Sequence, residues 1–171
     1  MGWQIHKDQG TPQRILRFLG AWLVGAAAAY AVGSVSQSVF VILELSAAGA
    51  DLSANIWAKV IIHDLMNLAF GGKYIWYGGN LLVAFLIALP CAILVSRFSK
   101  IHLGLVAAVA GAVAIVTMIE IINFNSPSTL FAGTRGWDGM LAQVIAGAIG
   151  GATFAAFFGV QRPSSPTLGS S

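Results

Sequence analysis

Charged side chains are scarce in this chain of 171 residues: Asp, Glu, Lys and Arg make up only 9% of it. A soluble domain carries about 25% charged residues, so a water-soluble body of ordinary composition is excluded. Cysteine is scarcer still, since Cys91 is the only one. A single cysteine excludes an intrachain disulfide and a cysteine-rich metal site. The formal charge of +3 comes from scattered basic residues, so no nucleic-acid partner is indicated.

The sequence also lacks the motifs that carry common chemistry. It contains no glycine-rich phosphate loop, no nucleophile elbow and no HExxH zinc motif. The adjacent pair His63 and Asp64 supplies too few ligands for a typical zinc site, and a solvated polar helix face explains it better. We therefore predict no catalytic residue, no cofactor and no metal, and we do not expect an enzyme.

Long apolar stretches are what the sequence does have. A hydrocarbon core of about 30 Å needs about 20 helical residues, and within it every backbone polar group must be satisfied internally. The sequence predicts an all-α fold, a single polytopic membrane domain, with a disordered tail at residues 162–171. The four predicted transmembrane helices cover approximately residues 18–39, 80–97, 103–122 and 139–159.

The connection between the first two spans predicts one further helix, at approximately residues 52–70. Polar residues recur there every four positions and form one face, opposite an apolar face that contains Trp57 and Ile61. Because a full crossing would bury several polar groups, we expect an amphipathic helix lying at the periplasmic membrane interface. The residues of the polar face are Asn55, Lys59, His63 and Asn67.

The distribution of Lys and Arg predicts the orientation. Six of the nine flank the spans on the side of the termini, and three, Lys59, Lys73 and Arg135, remain for the other side. The positive-inside rule then places both termini in the cytoplasm. The first span is too long for the apolar core of a cleavable signal peptide. A retained first span, with short spans rich in Gly and Ala, favours the bacterial inner membrane.

Small residues recur at helical spacing in two of the spans. Such stripes let helix backbones approach closely. We expect the first and fourth spans, or two copies of the fourth, to cross at Gly147, Gly151 and Ala155. The candidate packing residues are Gly25, Ala29 and Gly33 in the first span, and Gly147, Gly151, Ala155 and Gly159 in the fourth.

A set of polar residues lies at or near membrane depth in the half opposite the termini. An intramembrane carboxylate is by default a candidate functional group, able to carry a proton or bind a cation. The alternative is structural: Glu120 faces inward and forms an ion pair with Arg135, with Glu44 nearby. The set comprises Ser34, Gln37, Ser38, Glu44, Glu120 and Arg135.

The leading functional hypothesis is a membrane protein without enzymatic chemistry that serves as an accessory or assembly subunit of a larger membrane complex. Its partners are then the lipid bilayer and other membrane subunits or further copies of itself. The alternative is a small oligomeric transporter or channel whose polar pathway runs through the outer half of the bundle. Polar residues converging on an open cavity favour transport, whereas a dry core favours the accessory role.

Overall fold

The described part of the chain, residues 11–49, 53–70, 77–124 and 136–159 of a computed structural model, contains five helices and no strand. Four of these helices, α1, α3, α4 and α5, are long and apolar enough to cross a membrane. The predicted all-α fold with four spans is therefore confirmed. The helices are α1 Thr11–Ala47, α2 Ala54–Phe70, α3 Tyr77–Ser99, α4 Leu103–Phe124 and α5 Trp137–Gly159.

The helix bounds agree with the predicted spans to within three residues, except in α1. That helix has 37 residues, which at 1.5 Å per residue is about 55 Å, well beyond a hydrocarbon core of about 30 Å. The polar residues before the first span do not stop it, because Gln and Arg are good helix formers. The predicted tail at residues 162–171 lies outside the described residues.

Helix α5 lies between α1 and α4 and makes its most extensive contacts with these two helices. The core around it is built from fully buried apolar side chains of all four long helices. Phe154 of α5 stacks on Phe158 at a ring distance of 5.4 Å and meets Phe18 of α1 edge-on at 5.7 Å. Helix α5 therefore holds α1 and α4 together, whereas α3 packs chiefly against α4.

Backbone contacts between glycines join α5 to α4. A Cβ added to Gly151 would collide with the carbonyl oxygen of Ala107, and one added to Gly147 would collide with that of Gly111. The reverse holds for Gly111, where a Cβ would collide with the carbonyl oxygen of Gly147. This approach is possible only because none of these glycines carries a side chain.

A second close contact joins α5 to α1, through a different glycine. A Cβ on Gly150 would lie 2.6 Å from the Cβ of Ala29, and one on Gly25 would lie 2.8 Å from the carbonyl oxygen of Gly150. The first and fourth spans do cross closely, but Gly147 and Gly151 face α4 instead of α1. Adjacent residues of a helix point about 100° apart, so Gly150 and Gly151 serve different neighbours.

The remaining small residues of the two stripes have different surroundings. Ala155 is buried, whereas a Cβ on Gly159 would meet nothing within 4 Å, so Gly159 is not a close-packing residue. Gly33 faces side chains and not a helix backbone: a Cβ there would lie 2.6 Å from the hydroxyl of Tyr77.

Replacing Gly151 with Ala should destabilise the protein. The added methyl group collides with backbone atoms of Ala107, which cannot rotate away as a side chain could. Overpacking of this kind costs about 1–3 kcal/mol. Gly20→Ala is the matched control, because a Cβ at Gly20 meets nothing within 4 Å. Unfolding in detergent should show the loss for Gly151→Ala alone, and equal stability of the two variants would contradict the contact.

Candidate functional site

Polar side chains from four helices meet in a buried polar cluster, which is the candidate site. Ser34 and Ser38 are fully buried, Gln143 is 1% exposed and Gln37 is 8% exposed. Each such group must find a hydrogen-bond partner or incur a desolvation cost. The polar cluster consists of Tyr30, Ser34, Gln37 and Ser38 of α1, Asp64 of α2, Tyr77 of α3 and Gln143 of α5.

Gln143 links three helices through its amide. The hydroxyl of Tyr77 donates a hydrogen bond of 2.8 Å to Oε1 of Gln143, and Nε2 of Gln143 donates one of 3.0 Å to the carbonyl oxygen of Gly33. The missing side chain of Gly33 leaves the space that the tyrosine hydroxyl occupies. The ring of Tyr77 also lies 6.0 Å from that of Tyr30. The amide oxygen and nitrogen of Gln143 are thus both satisfied inside the bundle.

Two further hydrogen bonds attach α2 to α1. The hydroxyl of Ser38 donates to Oδ2 of Asp64 at 2.8 Å, and the hydroxyl of Tyr30 donates to the carbonyl oxygen of Leu65. The hydroxyl of Ser38 also lies 3.2 Å from the carbonyl oxygen of Ser34, but its one proton serves the shorter contact to the carboxylate. Asp64 therefore faces α1 instead of lying wholly on the solvated face expected for it.

Two buried oxygen atoms of the polar cluster lack a hydrogen-bond partner among the residues that the structure describes. They are Oε1 of Gln37 and Oγ of Ser34, the second of which lies near the hydroxyl of Tyr30 without forming a well-aligned hydrogen bond. Both residues lie on α1 within one turn of Ser38, whose hydroxyl contacts the carboxylate of Asp64. Water, a donor group or a cation are the species that satisfy such oxygens in protein interiors.

The structure brings together three of the six predicted polar residues, Ser34, Gln37 and Ser38. The expectation that Glu120 faces inward is wrong, because Glu120 is exposed on the surface of the bundle. Glu44 is exposed as well. It lies six residues after Ser38 and therefore points about 120° away from it around the helix. Arg135 lies outside the described residues, so its predicted ion pair stays a prediction.

Sequence reasoning did not assign Asp64, Tyr77 and Gln143 to the site. Gln143 carried a usable signal, since an amide within an apolar span commonly bonds a neighbouring helix. Tyr77 follows Tyr74 and Trp76 in the sequence, and a run of aromatic residues is typical of a membrane interface, so the sequence gives no signal for its buried position. Asp64 was assigned to the polar face of α2 together with His63, whose side chain is indeed 72% exposed.

The chemistry available in the described residues is limited. No group of three or more His, Cys, Asp and Glu side chains in the described ranges could hold a metal ion. The side chains of the polar cluster comprise one carboxylate, four hydroxyls and two amides, a set suited to hydrogen bonding. Comparisons with protein-family models, with curated protein sequences and with solved structures found no match.

Proposed function

We propose that this protein is an integral membrane protein without enzymatic chemistry, an accessory or assembly subunit of a larger membrane complex. The observation that carries the proposal is the position of Glu120. It lies about one turn before the end of α4, exposed on the surface of an apolar helix. The described part of the bundle thus leaves the side chain of Glu120 open to its surroundings.

The residues around Glu120 support a protein partner. Ile121 is 57% exposed and Phe124 is 91% exposed, so the carboxylate lies on an apolar surface. A carboxylate facing lipid is costly, and intramembrane carboxylates normally face protein or water. A neighbouring subunit that presents Lys, Arg or a hydrogen-bond donor removes this cost and buries the apolar side chains at the same time. In the polar cluster, in contrast, most polar groups form hydrogen bonds within the chain.

The orientation belongs to the same proposal. Both termini lie in the cytoplasm, α2 lies at the periplasmic interface, and the membrane is the bacterial inner membrane. The six-to-three asymmetry of Lys and Arg supports this arrangement. A cysteine introduced in place of Lys59, which is exposed on α2, should react with impermeant thiol reagents from the periplasmic side. Reaction from the cytoplasmic side alone would contradict the orientation.

A photoreactive amino acid in place of Thr117, an exposed residue one turn before Glu120, should form one discrete protein adduct in the native membrane. Adding Glu120→Gln should reduce that adduct about tenfold or more, since breaking an interfacial charge pair costs about 2–5 kcal/mol. The control position is Ile145, which is 56% exposed on α5. Adducts with lipid alone at position 117, or adducts unchanged by Glu120→Gln, would contradict the proposal.

A small oligomeric transporter or channel is the second candidate, and one observation favours it. Oγ of Ser34 and Oε1 of Gln37 are buried oxygens without a partner in the described residues, one turn or less from the Ser38 hydroxyl that contacts Asp64. Neutral oxygens beside one carboxylate are the ligand type that hard cations prefer. Under this candidate, the polar cluster holds a sodium ion that the protein moves across the membrane.

The transport candidate predicts that sodium chloride stabilises the protein more than choline chloride at equal ionic strength. Ligand at 100 times its Kd stabilises by about 2.7 kcal/mol, which thermal unfolding resolves easily. Ser34→Ala should abolish the difference. Ser36→Ala is the matched control, because the hydroxyl of Ser36 is already used in a 2.7 Å bond to the carbonyl oxygen of Val32. Identical unfolding of the unaltered protein in both salts would exclude the sodium site.

A further inference from the structure

Helix α2 packs against α1 and α3 without entering the core of the bundle. None of its described side chains is buried, and none belongs to the apolar core. Each of the four long helices, in contrast, contributes fully buried apolar side chains to that core. Segments with few buried apolar contacts open at a lower free energy than the core of a protein does. Among the five described helices, α2 is therefore the one that can leave its neighbours most easily.

Two hydrogen bonds to neighbouring residues of α2 hold this helix against α1. The carboxylate of Asp64 accepts a bond of 2.8 Å from the hydroxyl of Ser38, and the carbonyl oxygen of Leu65 accepts one from the hydroxyl of Tyr30. Because Asp64 and Leu65 are adjacent, both bonds act at one point along α2. A movement that separates α2 from α1 at this point breaks the two bonds together.

Ser34 lies beneath α2, between the two residues of α1 that bind it. Tyr30, Ser34 and Ser38 recur every four positions and therefore share one face of α1. Because Tyr30 and Ser38 both bond to α2, that helix covers the fully buried Ser34 between them. Oγ of Ser34 and Oε1 of Gln37 have no hydrogen-bond partner in the described part of the chain. Water that reached these oxygens would satisfy them, which lowers the cost of moving α2 away.

The contacts between α1 and α5 next to the polar cluster are much tighter. A Cβ on Gly25 would lie 2.8 Å from the carbonyl oxygen of Gly150, so the two backbones touch there. About two turns before Gly25, the ring of Phe18 packs edge-on against Phe154 and Phe158. Opening the bundle at these positions would break the packing of long helices, whereas moving α2 leaves that packing intact. Movement of α2 therefore gives access to the polar cluster at the smallest loss of contacts.

We propose that α2 is a lid over the polar cluster. It moves away from α1 as one unit, breaks the bonds at Asp64 and Leu65, and admits water and small polar solutes to Ser34 and Gln37. With α2 in place, as in the structure, the polar cluster is closed. The lid does not depend on the sodium site of the transport candidate, since water alone satisfies the two uncovered oxygens.

Ser34 provides the test, because a thiol in its place meets a water-soluble reagent only when α2 is open. In a Cys91→Ser background, which removes the exposed native thiol, the Ser34→Cys variant is placed in lipid nanodiscs and its alkylation is timed. Adding Asp64→Ala should speed the reaction about tenfold or more, since it removes the carboxylate that accepts the bond from Ser38. Adding Asp64→Asn, which keeps an acceptor oxygen, should speed it less.

Lys59→Ala is the matched control, because it removes an exposed side chain from the same helix and should leave the alkylation rate unchanged. Ile119→Cys, in the same Cys91→Ser background, is a second reporter, since Ile119 is fully buried in the core of α4. Asp64→Ala should leave this second reporter unreactive. Equal acceleration of both reporters would mean that the whole bundle unfolds and would overturn the proposal. A rate for Ser34→Cys that Asp64→Ala does not change would overturn it as well.

Hydrogen exchange of the unaltered protein tests the lid without any substitution. The backbone amides of α2 should exchange together and several-fold faster than those of α5 around Gly150, since α2 opens while the long helices stay packed. Exchange of α2 as slow as that of α5 would contradict a lid that opens from an intact bundle.

Discussion

The close backbone approach of α5 to its two neighbours is the constraint on which the rest of the structure depends. Lipid tails are as apolar as the helices, so association in a membrane relies on tight packing and interhelical hydrogen bonds. Gly150 supplies the contact to α1, and Gly151 supplies the contact to α4. Gln143 lies two turns before Gly150, and the approach that brings α5 against α1 also brings its Nε2 within 3.0 Å of the carbonyl oxygen of Gly33. The hydrogen bonds of Gln143 within the polar cluster therefore depend on glycine packing.

Features of the fold that depend on residues close together in the sequence could be predicted, whereas features that depend on contacts between distant helices could not. The spans and α2 depend on the length and periodicity of apolar residues, which the sequence contains directly, and their bounds were predicted closely for all of these helices except α1. The stripe at Gly147 and Gly151 correctly indicated a face that a backbone approaches. Its neighbour was predicted wrongly, because periodicity identifies a face of one helix but does not identify the helix that lies against it. That choice depends on how the other three long helices are arranged relative to α5.

The candidate site also contains residues that could be predicted from the sequence and residues that could not. Ser34, Gln37 and Ser38 lie on one face of one helix, so their shared surroundings could be predicted, whereas Asp64, Tyr77 and Gln143 come from three other helices. Glu120 shows the limit of reasoning from depth. An apolar run around a carboxylate gives its approximate height in the membrane but no direction. Ile119, one residue earlier, is fully buried, and the rotation of about 100° between neighbours turns Glu120 to the surface.

Polar groups in the interior of this protein contribute little free energy to the fold, and the charged groups of α3 and α4 lie at its surface. An interhelical hydrogen bond in a membrane contributes about 0.6 kcal/mol, so the bonds of the polar cluster together stabilise the fold by only about 2–3 kcal/mol. Their effect is chiefly to fix which residues of α1, α2, α3 and α5 meet. The charged side chains of α3 and α4 and of the connection between them lie instead at the surface of the described bundle: Arg97, Lys100 and Glu120 are all exposed. The interior therefore fixes the arrangement of the helices, whereas the exposed carboxylate of Glu120 is left for the surroundings to satisfy.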